Sequence, residues 1–113
     1  MHEMAIAQGI LDIALTANQQ EGGGRITKIK LNIGEMTGVE PDALLFCFGA
    51  LAAGTAASEA DLDIEVIPLT GRCESCGYEF PIERYRFVCP FCQSVKVETI
   101  SGRELAVEHL EVE

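Results

Sequence analysis

Four of the five cysteines fall in two pairs, Cys73-x2-Cys76 and Cys89-x2-Cys92, with twelve residues between them. Each C-x-x-C can offer two thiolates to one ion from a tight turn, and two such turns complete a tetrahedron, the arrangement of a structural Zn(II) site. Gly77 follows the first pair, where the turn asks for a permissive backbone, and Pro90 stiffens the second. A closed set of four thiolates leaves no open position for a substrate water, so the chemistry is structural rather than catalytic. Four thiolates also suit a rubredoxin-like iron, although CPFCQ lacks the glycine usual after the last cysteine of such sites. A thioredoxin-type dithiol uses one C-x-x-C, so two pairs exceed its need. Arg72, Arg84 and Arg86 are expected to offset the negative charge that four thiolates leave around a dication.

A second set of donors stands at the other end of the chain. The α-amine of Met1, the imidazole of His2 and the first backbone amide nitrogens lie within two residues of one another. Once the amides lose their protons, these nitrogens can close a planar square, a geometry that favours nickel(II) or copper(II). A terminal histidine by itself carries no such meaning, because most are simply disordered. Cys47 sits among apolar residues in LFCFG and reads as a buried structural thiol, and His109, with no sequence partner, reads as a surface or packed histidine. No nucleophile–base pair and no Gly-rich phosphate loop is present, so no enzyme activity is expected.

Composition narrows the partners. The 113 residues carry a formal net charge of −10 and are 48% hydrophobic, which suits a folded chain that phosphate backbones repel. No nucleic-acid and no membrane partner is expected, since no apolar run approaches the ~20 residues of a spanning helix. The amino-terminal stretch has neither a basic n-region nor an apolar core, so a cytoplasmic location is expected, where clustered thiols mean metal rather than disulfides.

Several elements must position these groups. Ile6, Ile10, Ile13 and Ala17, widened by Leu11 and Leu15, predict one amphipathic helix that EGGG terminates. KIKLNIG alternates, with Ile29, Leu31 and Ile33 inward, and predicts a strand. Pro41 and Asp42 open a second helix with Leu44, Leu45, Phe48 and Leu51 inward. DLDIEVIPL predicts another strand, with Leu62, Ile64 and Val66 inward. In the last strand Leu105 and Val107 share a phase that Leu110 and Val112 miss by one residue, which predicts a β-bulge near Glu108 and His109.

The expected fold is therefore α+β: two helices on one face of a three-stranded, mostly antiparallel sheet. Residues 1–70 and 103–113 would form that unit. Residues 71–102 would form an inserted zinc-ribbon-like four-cysteine domain, too short to be held by hydrophobic burial alone. Its aromatics, Tyr78, Phe80, Tyr85, Phe87 and Phe91, would pack as a small core against the metal rather than stack bases.

The whole chain resembles the HypA/HybF family of nickel metallochaperones, which help to assemble nickel–iron hydrogenases. The resemblance rests on Met1-His2-Glu3, on IGEMTGVEPDALLFCF, on the two C-x-x-C pairs and on the ending ELAVEHLEVE, in that order. Ala5 stands where the family usually has serine. The resemblance implies Ni(II) held by the Met1 amine, the His2 imidazole and backbone nitrogens of His2 and Glu3. It also implies structural Zn(II) on Cys73, Cys76, Cys89 and Cys92. The partners it implies are the nickel-binding GTPase HypB and the hydrogenase large-subunit precursor, and some members also serve urease. Read without the resemblance, the residues also allow a zinc-ribbon module for protein or nucleic acid, or a one-iron carrier.

Overall fold

The computed structural model describes residues 2–113. In chain order these form α1 (Glu3–Gln20), β1 (Ile26–Gly34), a 3₁₀ turn (Glu35–Thr37), α2 (Pro41–Ala52), β2 (Asp61–Ile67), β3 (Thr70–Cys73), β4 (Glu79–Pro81), β5 (Val97–Ser101) and β6 (Leu105–Val112). They build two three-stranded sheets, ordered β2-β1-β6 and β4-β3-β5. Three of the four strand pairings are antiparallel; β1 and β2 run parallel, joined by the crossover that carries α2.

Helix α1 stops where expected. Gly22, Gly23 and Gly24 all have positive φ, and the buried Asn18 donates from Nδ2 to the Gly24 carbonyl at 2.9 Å, fixing the turn. Helix α2 starts at Pro41, whose missing N–H costs nothing at a first helical position. Both helices pack on the face of the first sheet that carries Ile29, Leu31 and Ile33, and these three are at most 2% exposed. Each such buried side chain contributes about 1.5–3 kcal/mol. On the other face Lys30 reaches Asp63 and Glu65. The bulge falls at Glu108: Lys30 pairs with His109 and Leu31 with Val107, so Glu108 has no partner position and Val107 and Leu110 turn to the same side.

Three inward assignments are overturned. Ile13 is 56% exposed, because the inner stripe of α1 runs through Ala7, Ile10, Leu11, Ala14 and Asn18 instead. Two alanines let α1 close on its neighbours, and a reading weighted to large aliphatics misplaces that face. Leu45 is exposed because α2 buries Leu44, Phe48 and Ala52. Val66 is exposed because burial fades along the edge strand β2, from Leu62 through a half-buried Ile64.

The chain measures 54 × 25 × 16 Å with a radius of gyration of 17.4 Å, well above the ~13 Å of a compact chain of this length. The elongation reflects two separate hydrophobic clusters. The second consists of Leu69, Cys73, Phe80, Ile82 and Cys89, with Met36, Phe87 and Val97 against it. The two meet at the end of β1. There Gly34 N–H donates to the Glu104 carbonyl at 2.6 Å, Met36 N–H to the Gly102 carbonyl at 2.8 Å, and Leu69 N–H to Glu35 Oε1 at 3.0 Å. A side chain on Gly34 would overlap the Gly102 carbonyl, and one on Gly102 would lie 2.5 Å from Leu69 Cα.

Two glycine substitutions should therefore act in opposite directions. Gly34→Ala pushes backbone against backbone and should lower unfolding free energy by about 1–3 kcal/mol. Gly49→Ala, with open space around it inside α2, should raise it by about 0.5–1 kcal/mol. Thermal unfolding of both variants beside the parent checks the pair of signs.

Candidate metal centre

Strand β3 delivers Cys73, and the turn after it delivers Cys76. A second turn of the same shape carries Cys89 and Cys92. In each turn the amide after the second cysteine bonds back to the first: Gly77 N–H to the Cys73 carbonyl at 2.8 Å, and Gln93 N–H to the Cys89 carbonyl at 2.9 Å. Cys73 N–H reaches the Tyr78 carbonyl and Cys89 N–H the Ser94 carbonyl, both at 2.9 Å. Gly77 has φ +80, and Gln93 reaches φ +62 without being glycine. The missing glycine thus leaves the two turns alike in backbone and does not discriminate zinc from iron.

The four sulfurs lie within 4.8 Å of one another, with Cys73–Cys92 at 3.5 Å and Cys76–Cys89 at 3.7 Å. A tetrahedral ion with bonds of ~2.3 Å sets its sulfurs ~3.8 Å apart, so the set fits one. The first cysteine of each pair is buried and the second exposed. The amide of Cys76 lies 3.4 Å from Cys73 Sγ, and those of Phe91 and Cys92 lie 3.4 Å from Cys89 Sγ. The Cys76 amide, helped by that of Ser75 and by neighbouring sulfurs, lowers the Cys73 thiol to about 6 against the opposing effect of burial. For Cys76 a Tyr78 amide pulls downward, but burial and the three other sulfurs push the thiol up to about 12. Burial raises Cys89, yet the Cys92 and Phe91 amides bring it below the ordinary thiol value. Cys92 stands above it: the Ser94 amide lowers it, and Cys73 and burial outweigh that. Four adjacent sulfurs cannot all ionise without a cation, and a bound dication removes that obstacle.

Some surroundings depart from expectation. Arg72 is engaged by carboxylates: its guanidinium is held by Glu98 at 2.5 Å and Glu79 at 3.5 Å. Of the five aromatics, Phe80 is buried and Phe87 half-buried, while Tyr78, Tyr85 and Phe91 are exposed; Tyr78 stacks on Phe80 with ring centroids 6.1 Å apart. The small core is completed by the aliphatics Leu69 and Ile82. The Ser75 and Ser94 hydroxyls, 3.0 Å apart, tie the two turns together. The repeat CESCGY and CPFCQS gave no signal of this pair, since it aligns Ser75 with Phe91 and Ser94 with Tyr78.

The amino-terminal donors lie on a different element. Met1 lies outside the described residues. His2 is exposed at the N-cap of α1, and the first rung of the helix is Ile6 N–H to the His2 carbonyl at 3.2 Å. Glu3 begins the helix, and its Oε2 accepts the Glu40 N–H at 3.0 Å. That bond, with its own amide, holds the Glu3 carboxyl below the usual carboxylate value. His109 is exposed beside Glu111 on β6, and Cys47, expected to be buried, is half-buried and packs against the first cluster.

Residues 1–112 match the family model described as "Hydrogenase/urease nickel incorporation, metallochaperone, hypA". The chain is 46% identical over 113 residues to the hydrogenase maturation factor HypA of Chlorobaculum tepidum, covering all of both chains. It is 43% identical over 113 residues to that of Geobacter metallireducens, again covering all of both. The chain belongs to the HypA family. Its fold is also that of the nickel metallochaperone HypA from Helicobacter pylori, known from its solution structure, with TM-score 0.70 at 21% identity over 99% of this chain and 97% of that one. A second solution structure of a HypA protein superposes with TM-score 0.74 at 21% identity, over 99% and 96% of the two chains. HypA proteins are maturation factors and metallochaperones, not enzymes. Among the described residues no helix is long and apolar enough to cross a membrane.

The strained Gln93 gives a local test. Gln93→Gly should relieve the left-handed backbone and stabilise the metal-loaded chain by about 0.5–1 kcal/mol. Gly77→Ala, at φ +80, should cost a similar amount. Unfolding midpoints of the two variants check both signs.

Proposed function

We propose that this HypA chain binds Ni(II) at its amino terminus and hands it on during maturation of nickel–iron hydrogenase, while a Zn(II) held by Cys73, Cys76, Cys89 and Cys92 keeps residues 71–102 folded. Residues 1–70 and 103–113 form the nickel unit in this reading. The observation that carries it is the family match over residues 1–112, which includes Met1-His2-Glu3 and both cysteine pairs. The nickel ligands are the Met1 amine, the His2 imidazole and the backbone nitrogens of His2 and Glu3. Two features support this set. His2 is exposed at a helix start, ahead of the backbone hydrogen-bond ladder, and the Glu3 carboxylate is engaged by the Glu40 amide, which leaves its backbone nitrogen as the donor. Nickel is cargo here: ligands on a chain end can be taken one at a time by a competing site.

The fit of four sulfurs to a tetrahedron supports the resident ion, and zinc supplies cross-linking without redox chemistry. The receivers in this scheme are the GTPase HypB and the hydrogenase large-subunit precursor; delivery to urease is a second use that the family description allows. The charge of −10 suits protein partners that present basic surfaces.

Nickel titration calorimetry on the untagged protein tests the terminal site. His2→Ala and an extra residue before Met1 should each abolish tight nickel binding and the weak visible band of a planar nickel(II) complex. Glu3→Ala should change it little, and acid should weaken binding because protons compete for the same nitrogens. Zinc content should be unchanged in all three variants. Nickel bound as tightly by the extended protein as by the native one would overturn the terminal site.

The cysteine set has its own test. Cys76→Ser should strip the resident metal and loosen residues 71–102 while the two-helix unit stays folded. Because Cys76 and Cys92 hold their protons more tightly than an ordinary thiol, metal uptake should release protons, and affinity should rise with pH. Elemental analysis reads the metal, and a red colour on isolation would replace zinc by iron.

A further inference from the structure

The helix layer covers the first sheet incompletely. Strand β6 is an edge strand with β1 as its one neighbour, and its apolar side chains turn toward the helix face because of the bulge at Glu108. Yet Leu105 and Val112 stay exposed there, and Val107 and Leu110 are half-buried. Helix α1 answers with the exposed Ile13, at the place where a core residue was expected. Between them runs a trough made of two adjoining cavities, about 220 and 380 Å³, that share Ile13 and Val107. The first is lined by Ile6, Gly9 and Ile13 of α1 against Leu105 and Val107 of β6, and the second continues to Leu110.

We infer that this trough is a docking site for an amphipathic helix of a partner protein whose apolar face is flanked by Lys and Arg. Shape argues for a helix. The open strip lies in the layer α1 occupies, beside it and over a strand, and both walls run ~26 Å, the length of a helix of about five turns. Charge selects the occupant. Glu21 and Glu108 stand along the trough, with His109 beside them, and no Lys or Arg lines it. A second copy of this chain, at net charge −10, would bring carboxylates against carboxylates, and an anionic lipid surface would be repelled in the same way. A basic amphipathic helix meets both the apolar floor and the acidic rim. The site lies away from the four cysteines, and the inference does not depend on where nickel binds.

The test uses the isotope-labelled, metal-loaded full chain and a synthetic helix of leucine and lysine, with leucines on one face. An analogue with alanine in place of leucine carries the same charge. The leucine helix should shift amide resonances along residues 6–13 and 105–110, and the alanine analogue should bind about tenfold more weakly or less. Ile13→Glu, at a position exposed enough to leave folding intact, should weaken binding about tenfold or more, with an unchanged unfolding midpoint. Phe46→Glu, which alters another exposed apolar residue on α2, should leave affinity as it was. Equal binding of the alanine analogue, an unaffected Ile13→Glu, or an equal loss in Phe46→Glu would overturn the inference. So would a dimer in sedimentation that Ile13→Glu dissolves, which would give the face to a second copy.

Discussion

Two stretches of backbone meet at Gly34 and Gly102 with no side chain between them, and the rest of the architecture is arranged around that approach. Strand β1 lies between β2 and β6, and its last residue, Gly34, pairs with Ile67. Ile33 pairs with Leu105 on the other side. The chain therefore leaves the first sheet on one flank of β1 and returns on the other, with the second sheet built from what lies between. Both crossings pass the same point. A Cβ there would force them apart, whereas glycine lets the Gly34 and Met36 amides bond to carbonyls of the returning chain. The Glu35 carboxylate adds a third tie by accepting the Leu69 amide. The segment just after β1 thus serves both units, and Met36 packs into the second cluster from outside it.

The two units are held by different physics. The first has a continuous apolar core spanning two helices and a sheet. The second buries five residues in its cluster, and two of them are cysteines of the four-sulfur set. So small an apolar core cannot carry a unit of three short strands, and cross-linking by an ion on the four sulfurs would replace the missing burial. The paired turns suit that role: each offers one buried and one exposed sulfur, with backbone amides directed at Cys73 and Cys89 to stabilise their charge. His2 stands in contrast, on an exposed helix start outside either cluster. In the proposed scheme the closed set would hold a resident metal and the open terminal one a transient metal.

What could be read in the residue string was what short-range chemistry decides. The C-x2-C pairs announce a thiolate tetrahedron because four donors on two tight turns have few other uses, and the fold brings all four sulfurs together. The bulge was visible because alternation with period two leaves a mark when it slips by one residue. Helix ends at EGGG and at Pro41 follow from backbone dihedral preferences that belong to single residues. The terminal histidine acquired meaning from its place in the chain and from family resemblance, since its surroundings in space add only exposure.

Tertiary structure alone decided which side of each amphipathic element met another surface. Ile13, Leu45 and Val66 fit an inward pattern, yet each faces solvent, because burial depends on the area a neighbour covers and not on hydrophobicity. Leu105 and Val112 of β6 stay exposed for the same reason: no helix lies over them. The parallel pairing of β1 with β2, the tie from Glu3 to the Glu40 amide and the contact of Gly34 with Gly102 join residues far apart in the chain. Such pairings leave no periodic trace in the string, since they are selected by how whole elements pack, after each element has formed by its own local rules.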